Sequence, residues 1–193
     1  MKKTLNLPLC DDDISGLRTG DIVYISGTLV TGRDEVHRRV VKEGMTLPVD
    51  MKGMAIYHAG PIVREKAGLY ELVSIGPTSS VRMEKWAAEF IENTGVKIMI
   101  GKGGMGKGTS DACRKYGAIH CVYPGGCAVL GAGQIEKIET VFWQEIGMAE
   151  CLWVLKTGGF GPLVVSIDIQ GNNLFAENAA FYASRREMLL TPF

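Results

Sequence analysis

The chain has 193 residues, with 21 Lys+Arg balanced by 21 Asp+Glu, 46% hydrophobic residues and 22% charged residues. A formal net charge of zero argues against a general nucleic-acid binder, which carries a basic excess, and the composition excludes an intrinsically disordered chain. No window approaches the ~18–20 unbroken apolar residues of a membrane span, and the length suits one domain over residues 1–193.

In chain order, residues 1–9 carry two lysines but no apolar core or small-residue cleavage site, so no signal peptide is expected and the protein reads as cytoplasmic. Asp11-Asp12-Asp13 reads as a solvated acidic turn. Residues 21–26 are β-branched and aromatic and predict a strand, followed by a glycine-framed loop over 27–32. Val36 and Val40 at helical spacing predict a helix over 33–43, closed by Gly44. Strands are predicted at 55–58 and 69–75, with a hairpin-like connector around Ala67-Gly68. Met83, Trp86, Ala87, Phe90 and Ile91 form one apolar face of a helix over 79–93, with Thr78 or Ser79 as cap and Gly95 as stop.

Beyond it come a strand over 96–100, a glycine loop over 101–108, a helix from 109 or 110 to 116, and a strand over 118–123. Two late strands, near 151–155 and 163–169, precede a C-terminal helix over 176–189. The alternation of strand, glycine loop and helix in the middle of the chain predicts an α/β fold, with parallel strands and functional loops at their C-terminal ends. Hairpin-like parts at both ends make the central sheet mixed rather than purely parallel. The 25 glycines are nearly double the usual ~7%.

Three glycine-framed loops carry cations. They are Gly32-Arg33-Asp34 with His37 one turn on, Gly76-Pro77-Thr78-Ser79-Ser80-Val81-Arg82, and Gly101-Lys102-Gly103-Gly104. Each follows a predicted strand and leads into a helix, where free N–H groups and the helix dipole favour an anion. Thr78 and Arg82 are four residues apart and share a face if the helix starts at Thr78. Two arginines and a lysine suit a small dianion, arginine gripping a carboxylate in bidentate fashion. Read singly, Arg33 and Arg82 are better taken as lying on solvated faces; three similar loops in one chain shift the reading toward a site. Residues 101–107 also fit the G-x-x-x-x-G-K part of a nucleotide-binding P-loop. The motif needs Ser or Thr next, whereas this chain has Gly108 and only then Thr109.

The five cysteines (Cys10, Cys113, Cys121, Cys127, Cys151) are odd in number and form no CxxC pair. With the three histidines they complete no zinc pattern, so buried thiols and no metal ligand set are expected. His58 and His120 fall in strand-like segments and read as packed or hydrogen-bonded residues.

Five segments occur in an order that carries a family resemblance: Ser26-Gly-Thr-Leu-Val-Thr-Gly-Arg-Asp-Glu-Val-His37, Tyr57-His-Ala-Gly-Pro61, Gly76-Pro-Thr-Ser-Ser-Val-Arg-Met83, Gly101-Lys-Gly-Gly-Met105 and Pro124-Gly-Gly-Cys-Ala128. Phe160-Gly-Pro-Leu-Val-Val165 and Gly171-Asn-Asn173 continue it. Together they resemble the β subunit of the two-subunit iron–sulfur hydro-lyases, the class I fumarases and L(+)-tartrate dehydratases. The resemblance implies a swivelling β/β/α domain with a central mixed sheet and flanking helices. It also implies an α subunit as partner, in a heterodimer or an α2β2 assembly. That subunit holds a 4Fe–4S cluster whose open iron acts as Lewis acid on the departing hydroxyl, and the substrate is a C4 dicarboxylate.

Carried over by residue, the resemblance makes Arg33 a substrate-carboxylate ligand and Thr78 the base. Arg82 and Lys102 complete the grip, with Ser79 beside them. Asp34 and His37 are reserve acid/base groups. The family often has Thr-Thr where this chain has Thr78-Ser79, which keeps both hydroxyls. Fumarate hydration to malate is placed narrowly ahead of tartrate dehydration to oxaloacetate, with mesaconate a third substrate to test. A nucleotide-binding module using residues 101–109 and a non-catalytic dicarboxylate-binding protein are the readings from other classes.

Overall fold

The computed structural model describes residues 1–190 of the chain. It is a mixed α/β structure built on a seven-stranded sheet. In chain order the elements are β1 (Lys2–Asn6), α1 (Asp11–Ser15), β2 (Ile22–Thr31), α2 (Asp34–Lys42), β3 (Ala55–Tyr57), β4 (Ile62–Lys66) and β5 (Leu69–Ser74). Then come a 3-10 turn (Ser80–Met83), α3 (Glu84–Thr94), β6 (Ile98–Gly101), α4 (Lys107–Tyr116), β7 (Ile119–Val122), α5 (Ala128–Gly133), β8 (Ile135–Phe142), a second 3-10 turn (Gln144–Ile146), β9 (Leu152–Ile167) and α6 (Leu174–Leu190). The order across the sheet is β1-β2-β3-β6-β7-β9-β8, and β9 also pairs with β2. The first five of these strands are mutually parallel, and β9 is antiparallel to β2, β7 and β8. Because β9 pairs with both β2 and β7, the ring β2-β3-β6-β7-β9 closes on itself.

Period-two alternation explains the layers. Ala55 and Tyr57 of β3, and Ile98 and Ile100 of β6, point into one cluster that includes Ile25, Leu29 and Phe160. Ile56 and Met99, one residue out of phase, point to the other side, where Val36 and Val40 of α2 and Ala87, Phe90 and Ile91 of α3 meet them. Both sides of the central strands are therefore covered, as parallel strands require. α3 and α4 close at Gly95 and Gly117, both in the left-handed conformation and both expected stops.

Several expectations are corrected. The loop predicted over 27–32 is mostly strand: β2 runs on to Thr31, with register shifts on either side of Ile25 absorbing Gly27. The two late strands are one 16-residue strand, β9, which passes through Thr157–Pro162 because its pairing moves from β8 to β2 and then to β7. The hairpin around Ala67-Gly68 joins β5 to β4, not to β3, and lies apart from the main sheet. The acidic triplet forms the first turn of α1, where Asp13 accepts from the Cys10 N–H at 2.8 Å. Aspartate there is favoured by the helix dipole. β1, α5 and β8 were not anticipated from the sequence. No helix among the described residues is long and apolar enough to cross a membrane.

Candidate active site

Because β2, β3 and β6 are parallel neighbours, their C-terminal ends lie side by side. Arg33 follows β2 after the single residue Gly32 and is the N-cap of α2, His58–Gly60 follow β3, and Lys102 follows β6. The segment from Pro77 to Ser80 folds back across this edge. Pro77 bridges Ala59, and Ser79 bridges Lys102. The Thr78 N–H donates to the His58 carbonyl at 2.6 Å, and the Thr78 carbonyl accepts from the Lys102 N–H at 3.1 Å. Thr78 is thus clamped by its main chain between the ends of β3 and β6. Its side chain and that of Ser79 are half-buried, while Arg82 and Lys102 are exposed.

The two arginines are paired within the chain. Arg82 meets Asp34 in bidentate fashion, Nη2 to Oδ2 at 2.7 Å and Nε to Oδ1 at 3.1 Å. Arg33 Nη2 lies 3.1 Å from Glu150 Oε1, and Nη1 donates to the Ala149 carbonyl at 3.4 Å. Glu150 was not foreseen, because it comes from the loop before β9 and is distant in sequence. The Arg33 guanidinium passes so close to Gly60 that a Cβ there would lie 2.6 Å from Nη1. The Ala149 carbonyl oxygen, fixed in the main chain, would lie 2.7 Å from the same Cβ, and together these approaches account for the glycine in Tyr57-His-Ala-Gly-Pro61. Arg33 Nε is buried without a hydrogen-bond partner. Lys102 makes no ion pair among the described residues.

His37, a reserve acid/base group in the sequence reading, is fully buried. Its Nδ1 lies 2.8 Å from the Arg33 carbonyl, and its ring stacks on Phe90 with centroids 4.2 Å apart. Burial pushes its pKa down to about 4, so it is neutral at pH 7. His58 and His120 are packed and hydrogen-bonded, as expected from their strand positions, and both bond to Ser80. Burial lowers both pKa values, that of His120 to about 3.

The nucleotide-loop reading fails on one side chain. The N-terminus of α4, where a P-loop would cradle phosphates, is filled by the Glu84 carboxylate. That carboxylate accepts from the Gly106 N–H at 2.7 Å, the Thr109 N–H at 3.2 Å and the Thr109 hydroxyl at 2.6 Å. A fixed anion at a helix N-terminus repels a second one. Two results are expected: millimolar Mg–ATP leaves the thermal midpoint unchanged, and Glu84→Ala lowers the unfolding free energy by about 2 kcal/mol in urea titration, the scale of charge-assisted bonds.

All five cysteines are free, and Cys113, Cys121 and Cys151 are buried. Burial pushes the thiols of Cys113 and Cys121 far up, and that of Cys151 up to about 11. Among the described residues, no three His, Cys, Asp or Glu side chains gather as a metal site.

Residues 1–178 match the protein family described as Fumarase C-terminus. The chain belongs to that family. The match covers the five loops from which the hydro-lyase β-subunit resemblance was read. Within the Fumarase C-terminus family, the chain is 52% identical over 190 residues to "L(+)-tartrate dehydratase subunit beta" of Escherichia coli K12, covering 98% of this chain and 94% of that protein. It is 39% identical over 194 residues to "Putative L(+)-tartrate dehydratase subunit beta" of Methanocaldococcus jannaschii, covering 98% and 99%. It is 36% identical over 172 residues to "Putative fumarate hydratase class I" of Geobacillus stearothermophilus, covering 89% of this chain but 33% of that longer protein. The Fumarase C-terminus relatives are thus named as hydro-lyases or their subunits.

Proposed function

We propose that this chain is the β subunit of an L(+)-tartrate dehydratase, supplying the substrate grip and the catalytic base to a complex with an α subunit. The observation that carries the reading is 52% identity across nearly the whole of both chains to a tartrate dehydratase β subunit. This reverses the narrow order given by the loop motifs, which put fumarate first. The 36% identity to a class I fumarate hydratase keeps fumarate as the second reading.

Dehydration of tartrate removes a proton from a carbon next to a carboxylate and hydroxide from the neighbouring carbon. The enol that results ketonises to oxaloacetate. Thr78, as an alkoxide that has released its own proton to solvent, takes the substrate proton at Oγ1. A threonine hydroxyl is a very weak acid, so its alkoxide form depends on nearby positive charge; Lys102, unpaired among the described residues, supplies it at this strand edge, while the charge of Arg82 is shared with Asp34. Asp34 occupies Nε and Nη2 of Arg82, which fixes the guanidinium and leaves Nη1 for a substrate carboxylate. Lys102 Nζ and the Ser79 hydroxyl are further donors, and Arg33 binds the second carboxylate in exchange for Glu150. His37, neutral and buried, holds the Arg33 main chain and transfers no proton in this scheme.

A 4Fe–4S cluster does not fit this chain. Among the described residues no three His, Cys, Asp or Glu side chains come together as a ligand set for it. The cluster is assigned to the α subunit, and no step on this chain's residues is routed through it.

Arg82→Met should raise KM roughly 10- to 100-fold with a smaller change in kcat, since a charge-assisted carboxylate contact is lost. Steady-state kinetics of the complex check this. The test of the reading itself is anaerobic co-expression with an α subunit and assay of tartrate, fumarate and mesaconate. The expected result is kcat/KM for L-tartrate at least ~10-fold above that for fumarate. A preference for fumarate selects the second reading, and turnover of none of the three removes the hydro-lyase reading.

A further inference from the structure

All three histidines of the chain lie fully buried in one row beneath the proposed site. The ring centroids of His37 and His58 are 5.1 Å apart, and those of His58 and His120 are 6.4 Å apart. Between the last two sits the Ser80 hydroxyl, 3.0 Å from His58 Nδ1 and 3.0 Å from His120 Nε2. The slot exists because β6, which lies between β3 and β7, ends there in Gly101. A Cβ at Gly101 would collide with Ser80 Oγ and approach His58 Nδ1 to 3.1 Å.

The direction of every bond in this row follows from donor counting. Ser166 Oγ donates to the His120 carbonyl, so it accepts from His120 Nδ1, 2.5 Å away. His120 is neutral, so its Nε2 is then an acceptor, and the Ser80 hydroxyl proton points at it. Ser80 Oγ therefore accepts from His58 Nδ1–H. At the other end, the Arg33 carbonyl accepts from His37 Nδ1–H. The Nε2 atoms of His37 and His58 are buried without a hydrogen-bond partner. All three rings are thus locked as Nδ1–H tautomers.

Ser80 is also joined through its main chain to the site, its N–H donating to the Lys102 carbonyl at 3.0 Å, two residues after Thr78. We infer that Ser80, seated over Gly101 between His58 and His120, is a positioning residue that sets where Thr78 and Lys102 stand relative to each other. A directed bond on each side of one hydroxyl fixes the segment in rotation as well as in height, the tolerance a reacting hydroxyl needs. The inference rests on the role proposed above for Thr78.

Two measurements test it. In the uniformly 15N-histidine-labelled full-length chain at pH 7, all three rings should show the Nδ1–H pattern. A Nε2–H pattern at His58 or His120 would overturn the assignment of the Ser80 bonds, and this needs no variant to fold. In the complex with the α subunit, Ser80→Ala should lower kcat at least ~10-fold while KM stays within ~3-fold, because the arginine grips are untouched. Gly101→Ala, which leaves Ser80 present but denies it the slot, should reproduce that pattern. Unchanged kcat in Ser80→Ala, alongside a large loss in Thr78→Ala, overturns the positioning role and leaves the proposed function standing. Unchanged kcat in Thr78→Ala would instead remove the role of Thr78 on which the inference rests.

Discussion

Thr78→Ala in the complex should lose at least ~10²-fold in kcat, equivalent to about 2.7 kcal/mol of barrier, with little change in substrate affinity. The position is not chosen by its hydroxyl alone. Of the three consecutive hydroxyl residues Thr78, Ser79 and Ser80, only Thr78 is clamped by its main chain to the ends of both β3 and β6, through His58 and Lys102. Ser79 is half-buried beside it, and Ser80 is turned down between the histidines. Removing the Thr78 side chain leaves Arg33, Arg82 and Lys102 in place, so under the proposed roles binding should survive and proton removal should not. Thr78→Ser should keep much of the rate, because the hydroxyl stays on the same clamped backbone. A loss in KM without a loss in kcat would make Thr78 a binding residue instead.

Stability should fall by about 4 kcal/mol between pH 7 and pH 5.5, a larger loss than carboxylate protonation gives in that range. The cause is the histidine row. An unfolded chain binds a proton at each histidine with a pKa near 6.5, whereas burial holds His37 at about 4, His120 at about 3 and His58 well below its ordinary value. Between those limits the unfolded state carries about three more protons than the folded one. Stability that is fully present above pH 6.5 is therefore lost as the pH falls, with a slope of about 1.4 kcal/mol per pH unit for each histidine. The lowered carboxylates, among them Asp21 and Glu35, contribute only below their unfolded values near 4. Urea titrations at the two pH values measure the effect. Equal midpoints would mean that the histidines are protonated, or reach water, in the folded chain. His37→Phe, which keeps a ring against Phe90, should reduce the slope by about one third and serves as the control.

The sequence revealed the parts of this architecture that depend on local pattern. The apolar face of α3 and its stop at Gly95, the start of α2 after Arg33, and the glycine loop after β6 all follow from spacing within a dozen residues. What it hid depends on pairing across the chain. β9 reads as two strands because Thr157–Pro162 carries three glycines and a proline, yet changes of partner keep the segment extended. The extent of β2 was hidden in the same way, since Gly27 and Gly32 look like loop ends until β9 is placed alongside.

At the candidate site, the loops bearing Arg33, Thr78 and Lys102 were legible, as was the arrival of Arg33 and Lys102 at one sheet edge; the Thr78 segment follows β5, outside the main sheet, and reaches that edge only by folding back. Their partners were not: Glu150 on Arg33, Asp34 on Arg82 and Glu84 on the N-terminus of α4 are each supplied by tertiary packing. The three histidines, 21 and 62 residues apart in sequence, offered no spacing to read. The one local signal was Gly101, a glycine ending a β-branched strand, where a side chain is missing because another occupies its place.

The central claim is that this chain completes an active site it does not possess alone. Its most direct test is a titration: a fixed amount of cluster-loaded α subunit, increasing amounts of this chain, and the initial rate of oxaloacetate formation from L-tartrate under anaerobic conditions. The predicted result is no turnover by either subunit alone and a rate that climbs to a plateau at equimolar subunits. Full turnover by the α subunit alone, or a rate independent of added chain, would contradict it.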